Sequence, residues 1–314
     1  MDLSGWLAAE HRAWLCTVVQ TWGSSPRPPG SLLAVNDQGD WTGSVSGGCL
    51  EADLIHQVCS DTPRGGTPRV IDYGVTETDQ QQWGLPCGGR MRLVVEPLEP
   101  QRHAVPVSLI LEALEERRPV TRRVAMATGE WDFAPRSVPE TLEETDGELL
   151  HTLGPSCRML LIGAGEVARY VARIALMNEF HVTLCEPRGL FLRGWGDEPG
   201  VDVRECLPDD LIYREFSDRY CAILALGHDP RIDDMGLLAA LDTEAFYIGA
   251  MGSERTAAQR RERLYDLGVT DSRMGRLHAP IGFHLGSKAP PEIAVAAMAQ
   301  VLAERYRLLR RMVR

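Results

Sequence analysis

Met159-Leu160-Leu161-Ile162-Gly163-Ala164-Gly165-Glu166-Val167-Ala168 decides the fold. Its first four residues are an unbroken apolar run, the pattern of a strand covered on both faces. Glycines then stand at 163 and 165, and helix-compatible residues follow to Met177. The pattern predicts a strand, a tight turn and a helix start at which backbone N–H groups can approach a pyrophosphate. The next strand, His181–Glu186, ends on a carboxylate 23 residues beyond Gly163. There an acid accepts hydrogen bonds from ribose hydroxyls, and Arg188 can meet a phosphate. Gly163, Ala164, Gly165, Glu166, Val167, Glu186 and Arg188 are therefore candidate nucleotide-binding residues. A tight turn that holds no ligand is the bland alternative.

Further along, apolar runs at Cys221–Gly227 and Ala245–Gly252 read as strands. Ala168–Met177, Arg255–Leu267 and Glu292–Arg310 read as helices. Strands alternating with helices predict an α/β, Rossmann-like doubly wound parallel sheet. Two loops fall at the carboxyl ends of its later strands, where such sheets bind ligands. One holds His228, which either titrates or contacts a metal, or is merely solvated. The other places Gly252 and Ser253 at a helix start, a second candidate anion site.

Residues 1–98 differ, with short apolar runs bounded by Gly, Pro and Asp. Gly39 fits a hairpin between Leu32–Val35 and Trp41–Val45, and a helix is expected from Cys49 to Cys59. Gly23–Gly30 is a stiff loop whose one cation is Arg27. Gly47 and Gly48 precede Cys49 and Glu51 where a loop enters a helix, so backbone donors and the helix dipole favour an anion or the Cys49 thiolate. Cys87, Gly88 and Gly89 repeat the theme; two small buried cysteines at tight turns are the alternative. Residues 99–154 read as a helix (Val107–Arg117), a strand (Val120–Thr128) and an acidic linker (Ser137–Glu148) without a cation after Arg136. The expected division is a mixed α+β domain over 1–150, extension and linker included, and the Rossmann-like domain over 151–314.

The 314 residues, 44% hydrophobic and 25% charged, are those of an ordinary globular chain. A net charge of −11 with a single lysine, Lys288, disfavours nucleic acid as a partner. The Arg-rich C-terminus reads as a solvated helix end complementing its own dipole. No apolar run approaches a membrane span, and the first residues lack a signal peptide's apolar core, so a cytoplasmic location is expected. No cysteine pair has CxxC spacing, which disfavours structural zinc. Ser-His-Asp order, HExxH and P-loop patterns are absent.

Taken together, GSSPRPPG, GSVSGGCLE and PCGG in the first half, with GAGEVA, EPR, HDP, YIGAMGS, PIGFHLG and PPEIA in the second, resemble the XdhC/CoxI family. These are accessory factors of xanthine dehydrogenase and related molybdenum hydroxylases. The resemblance implies an N-terminal XdhC domain, a C-terminal Rossmann domain and a chaperone role without turnover. In that role the protein binds molybdenum cofactor (molybdopterin or its cytosine dinucleotide), protects it during sulfuration and delivers it to the apo-enzyme. It places Cys49 and Cys87 on the family's cysteine positions, as candidate metal ligands or sulfur relays. The implied partners are a molybdenum hydroxylase, a cysteine desulfurase and a second copy of the chain. Relative to the family pattern, Glu186 stands where Asp is commoner, Gly227 replaces a Thr, Phe283-His284 replace Leu-Asp, and Ala289 removes a helix-capping hydroxyl. The residues alone also admit an NAD(P)-dependent oxidoreductase, with His228 as acid–base group, and a thiol redox sensor using Cys49 and Cys87.

Overall fold

The computed structural model describes residues 2–23, 27–48, 50–60, 66–74, 89–133, 142–196 and 198–310. The chain divides into two compact units, Met1–Gly154 and Pro155–Arg310.

The first unit opens with α1 (Leu3–Ala8), β1 (Ala13–Trp22), β2 (Leu32–Asn36), β3 (Trp41–Gly43), α2 (Glu51–Ser60), β4 (Arg69–Tyr73) and β5 (Arg90–Leu98). The strands form an antiparallel sheet in the order β3-β2-β1-β5-β4. The expected hairpin is present, with Ala34 opposite Thr42, but β3 stops at Gly43. Leu50, Leu54 and Val58 recur at helical spacing and pack with Cys16, Leu33, Val35 and Leu93 of the sheet.

Next come α3 (Pro100–Glu115), β6 (Val120–Ala125), β7 (Trp131–Phe133), β8 (Leu142–Glu144) and β9 (Glu148–Leu153). α3 begins seven residues before the expected Val107. Pro106 lies inside the helix, whose buried stripe of His103, Val107 and Ile110 runs straight past it. The acidic linker is a misreading for its second half. Residues 142–144 and 148–153 are strands of an antiparallel sheet ordered β7-β6-β9-β8. Leu142 and Leu149 point into a small core with Val94 and Val124, while Glu143 stays exposed. Residues 134–141 lie outside the described residues.

A buried ion pair ties this second sheet to the first. Arg122 of β6 donates from both terminal nitrogens to Glu96 of β5, at 2.8 and 2.7 Å. The Trp131 indole donates to the same carboxylate at 3.1 Å, and the guanidinium stands 4.4 Å over the Trp131 ring.

The second unit runs β10 (Arg158–Ile162), α4 (Glu166–Met177), β11 (His181–Cys185), α5 (Gly189–Leu192), β12 (Val201–Arg204), α6 (Pro208–Glu215), β13 (Cys221–Ala225), α7 (Pro230–Ala240), β14 (Tyr247–Ala250), α8 (Glu254–Asp266), α9 (Asp271–Met274), β15 (Leu277–His278) and α10 (Pro290–Arg310). Six parallel strands lie in the order β12-β11-β10-β13-β14-β15. The order reverses between β10 and β13, the switch point at which such sheets open a crevice. β13 is buried at every residue because helices cover both faces. One face packs Val171 and Ala175 of α4 with Ala297 and Val301 of α10; the other packs Leu211, Leu237 and Leu264 of α6, α7 and α8. No helix among the described residues is long and apolar enough to cross a membrane.

Candidate functional site

In the second unit, the turn between β10 and α4 is shaped by close approach. Gly163 has φ +97°, and a Cβ there would stand 2.6 Å from Cα of Gly227. Gly165, at φ −80°, is the N-cap of α4 and supplies no side-chain bond to the helix start. Two other helices that follow strands in this unit, α7 and α8, are capped from within: Asp229 accepts from the Arg231 N–H, and Ser253 from the Thr256 N–H, whereas α5 and α6, like α4, have no side-chain cap. The start of α4 therefore keeps its backbone donors and positive dipole end for something else, whereas the anion site expected at Gly252 and Ser253 has its hydroxyl committed to the helix.

Glu186, directly after β11, is 1% exposed. Its carboxylate accepts from Arg188 Nε at 2.7 Å, from a terminal guanidinium nitrogen at 2.9 Å, and from the Arg188 N–H at 3.0 Å. Burial alone would raise this carboxyl; the bonds from Arg188, with one from the Ala164 N–H, outweigh it and hold it below its usual range. The Ala164 bond joins the acid to the glycine turn. Arg188 stacks on Phe191 at 4.3 Å and lies 3.7 Å from Asp229. A ribose would therefore meet an acid already held by its neighbour, and a phosphate would meet a guanidinium already oriented.

Beside this turn, a pocket of about 690 Å³ opens at the carboxyl ends of β13 and β14. His228, Gly252 and Ser253 line it, so the structure gathers three predicted residues there. Sequence reasoning missed its floor. Asp233 and Asp234 of α7 bond Arg260 of α8, each at 3.1 Å, and Arg260 also donates to the Met251 carbonyl. Asp233 Oδ2 takes the Arg260 bond, while Oδ1 is buried against the backbone of Gly227, where a Cβ would stand 2.5 Å from it. Burial pushes this carboxyl up to about 6 against the pull of Arg260, with Asp234 adding to the rise. The available sequence signal was two adjacent carboxylates after Pro230 at a helix start, where dipole complementarity suffices as an explanation.

In the first unit, Glu51 is committed to its own loop. Its carboxylate accepts from the Ser44 hydroxyl at 2.7 Å and from the N–H groups of Val45, Ser46 and Gly48 at 3.1, 2.9 and 2.9 Å. The Ser46 hydroxyl also donates to it. Burial would raise this acid, but these bonds hold it down to about 2. Glu51 thus organises residues 44–48, the chain just before Cys49, and has little capacity left for a ligand. Gly47 and Gly48 lie in that loop, Arg27 is exposed between β1 and β2, and Gly89 is buried just before β5. Cys49, Cys87 and Gly88 lie outside the described residues. Among the described residues no group of three or more His, Cys, Asp or Glu side chains could hold a metal ion.

Comparison with known proteins bears on both units. A model of the XdhC Rossmann domain matches residues 159–301, and a model of the XdhC and CoxI family matches residues 6–74. The chain is 26% identical over 296 residues to the molybdenum cofactor insertion chaperone PaoD of Escherichia coli (strain K12), covering 93% of this chain and 83% of that protein. It is 24% identical over 332 residues to a Bacillus subtilis (strain 168) protein named as a probable xanthine dehydrogenase subunit, covering 98% and 97% respectively. A crystal structure of a xanthine dehydrogenase from Bacillus halodurans has the same fold, with a TM-score of 0.74 over 97% of this chain and 95% of that one at 22% identity. The chain belongs to the XdhC and CoxI family.

Proposed function

We propose that this protein is a maturation chaperone that binds molybdenum cofactor, shields it while its metal is sulfurated, and delivers it to a molybdenum hydroxylase of the xanthine dehydrogenase type. The observation that carries this reading is the start of α4, a glycine turn without a side-chain cap, joined through the Ala164 N–H to a buried acid at the end of β11. That arrangement suits the phosphate of molybdopterin or the pyrophosphate of its cytosine dinucleotide. In the dinucleotide case, Glu186 and Arg188 would face the added nucleotide. The relatives named as a cofactor insertion chaperone and a xanthine dehydrogenase subunit support the same role. When bound, the cofactor supplies a metal held by a dithiolene, and Cys49 and Cys87 are the soft donors suited to its sulfur chemistry. A cysteine desulfurase is the natural sulfur source. A homodimer would give the cargo further shelter from water.

The test is anaerobic purification followed by molybdenum and pterin analysis. Wild type should carry both, Cys49→Ala should keep pterin but lose molybdenum, and Gly165→Val should lose both. Wild-type levels in the two variants would remove the proposed contacts. NADH or NADPH binding with turnover of any substrate would instead favour a dehydrogenase on the same turn.

A further inference from the structure

We propose that Cys185 and Cys206 form a reversible disulfide that loosens the turn at Gly163 and the acid at Glu186, a redox switch on the nucleotide end of the second unit. This inference rests on the ligand-binding role proposed above for that turn and adds its regulation.

The two sulfurs meet at the carboxyl end of β11. Cys185 is the last residue of that strand, and Cys206 lies in the short connection between β12 and α6. Their Sγ atoms stand 3.7 Å apart, and the Cys185 thiol donates to the Cys206 carbonyl at 3.1 Å. A disulfide bond is about 2.05 Å long, so the sulfurs have to close by roughly 1.7 Å.

Whichever side yields, the site is disturbed. The Cys185 carbonyl accepts from the Gly163 N–H at 2.9 Å. The next residue, Glu186, accepts from the Ala164 N–H and, at 3.0 Å, from the Arg188 N–H. A pull on Cys185 therefore reaches the glycine turn and the acid together. On the other side, the Glu205 carboxylate packs so closely on Gly189 that a Cβ there would stand 2.8 Å from it. Moving 205 and 206 toward Cys185 thus shifts the residue that follows Arg188.

The asymmetry of the pair sets the order of the reaction. Cys206 is partly exposed and Cys185 is buried. Burial pushes the Cys185 thiol well above its usual range, with Cys206, Glu186 and Asp209 adding to the rise. Hydrogen peroxide therefore meets Cys206 first. The Cys206 thiolate attacks one peroxide oxygen, the O–O bond breaks, and a sulfenic acid forms as water leaves with the thiol proton. The Cys185 sulfur then attacks the Cys206 sulfur, the S–O bond breaks, and the hydroxide leaves as water with the Cys185 proton. The net reaction turns two thiols and one peroxide into one disulfide and two waters, the sulfur pair losing the two electrons that the peroxide gains. A dithiol such as dithiothreitol reverses it by exchange.

The experiment treats the full chain with hydrogen peroxide and maps its cysteines after trypsin. Cys185 and Cys206 fall in separate fragments, 174–188 and 205–214, each with a single cysteine. These should appear joined, two hydrogens lighter than the separate pair, and part again after dithiothreitol. In the oxidised protein the amides of Gly163, Ala164 and Arg188 should exchange hydrogen faster. CDP, a ribose carrying a diphosphate, should bind about tenfold weaker, the scale of one lost hydrogen bond to a charged group, and regain its affinity on reduction. Cys206→Ser, a change at a partly exposed side chain, should keep its CDP affinity through peroxide. In Cys185→Ala the sulfenic acid should persist on Cys206 and take up a dimedone label. Absence of the joined fragments, Cys206 joined to another cysteine, or an unlabelled Cys206 in Cys185→Ala would each overturn the switch. So would a joined pair with unchanged exchange or unchanged CDP binding, or an equal loss of affinity in Cys206→Ser. Joined fragments and faster exchange in a protein that binds no CDP even when reduced support the switch and count against the ligand proposed for the turn.

Discussion

Gly163 and Gly227 lie backbone to backbone, so that a Cβ on the first would sit 2.6 Å from Cα and 2.7 Å from N of the second. The glycine fingerprint of this chain thus contains two different requirements. Gly163 is demanded by the fold, through its φ of +97° and the facing loop. Gly165 has ordinary room, the nearest atom to its notional Cβ being the Leu226 carbonyl oxygen at 3.8 Å.

Gly163→Ala should therefore destabilise the second unit by about 2–4 kcal/mol, through a strained φ and a backbone clash. Gly165→Ala should cost about 1 kcal/mol or less, the loss of a favourable N-cap residue. Any fall in phosphate affinity in Gly165→Ala then reports on ligand approach and not on folding. Thermal melts of both variants beside phosphate-ligand titrations check this; equal melting losses would contradict the distinction.

Glu51 gives a second separation. Its carboxyl is held at about 2 from an ordinary 4.5, so the folded state binds its proton less readily than the unfolded chain. The stability it adds is fully present above about 4.5 and is lost as pH falls toward 2. Glu51→Gln keeps the shape but discards the charge that five donors surround, at a cost of about 2–3 kcal/mol near neutrality. Denaturant titrations should show the gap between wild type and Glu51→Gln closing below pH 4.5. A gap independent of pH would assign the loop's order to something other than this carboxylate.

The parallel sheet was legible because its strands carry their burial as unbroken apolar runs: Cys221–Ala225, within a run read as a strand, is buried at every residue. α7 was not legible. The partners of its Asp233 and Asp234, Arg260 and Arg263, lie 26 to 29 positions further on, beyond the reach of any local pattern. The strands β8 and β9 were hidden for a related reason, since the charges of 143–148 dominate the composition while Leu142 and Leu149 carry the packing. In the site, residue types were readable and commitments were not. Nothing in the sequence indicates that Glu51 would be saturated by its own loop or Glu186 by Arg188, because both depend on side-chain direction.

Arg122 and Glu96 are buried in full and bonded through two parallel contacts. Arg122→Met would strand the Glu96 carboxylate in the interior and should cost about 3–5 kcal/mol. Arg122→Lys keeps the charge but cannot make the fork, so it too should destabilise. The double variant Arg122→Met with Glu96→Leu removes the stranded charge and should recover most of the loss. Melting wild type, Arg122→Met, Glu96→Leu and the double variant as a thermodynamic cycle checks this; a double variant as unstable as the sum of the two singles would deny coupling between the pair.

His151 sets the acid sensitivity of the same unit. Burial, with Arg122 alongside, pushes its imidazole down to about 3 from an ordinary 6.5. The folded unit therefore holds it neutral while the unfolded chain takes up a proton below 6.5, and stability falls as pH drops from 6.5 toward 3. A shift of this size corresponds to roughly 5 kcal/mol over that window. His103 is lowered by burial as well and pulls in the same direction, whereas Glu51 begins to act only below about 4.5. The interval from 6.5 to 4.5 thus belongs to the histidines. Asp233 in the second unit runs opposite: its carboxyl is raised to about 6, so its contribution is present below 3.8 and is lost as pH rises through 6. His151→Gln should flatten the acid limb of first-unit unfolding between pH 6.5 and 4.5 and leave the second unit's profile unchanged. Hydrogen exchange followed separately in 1–154 and 155–310 across that interval makes the measurement. An acid limb that keeps its slope in His151→Gln would move the sensitivity to His103.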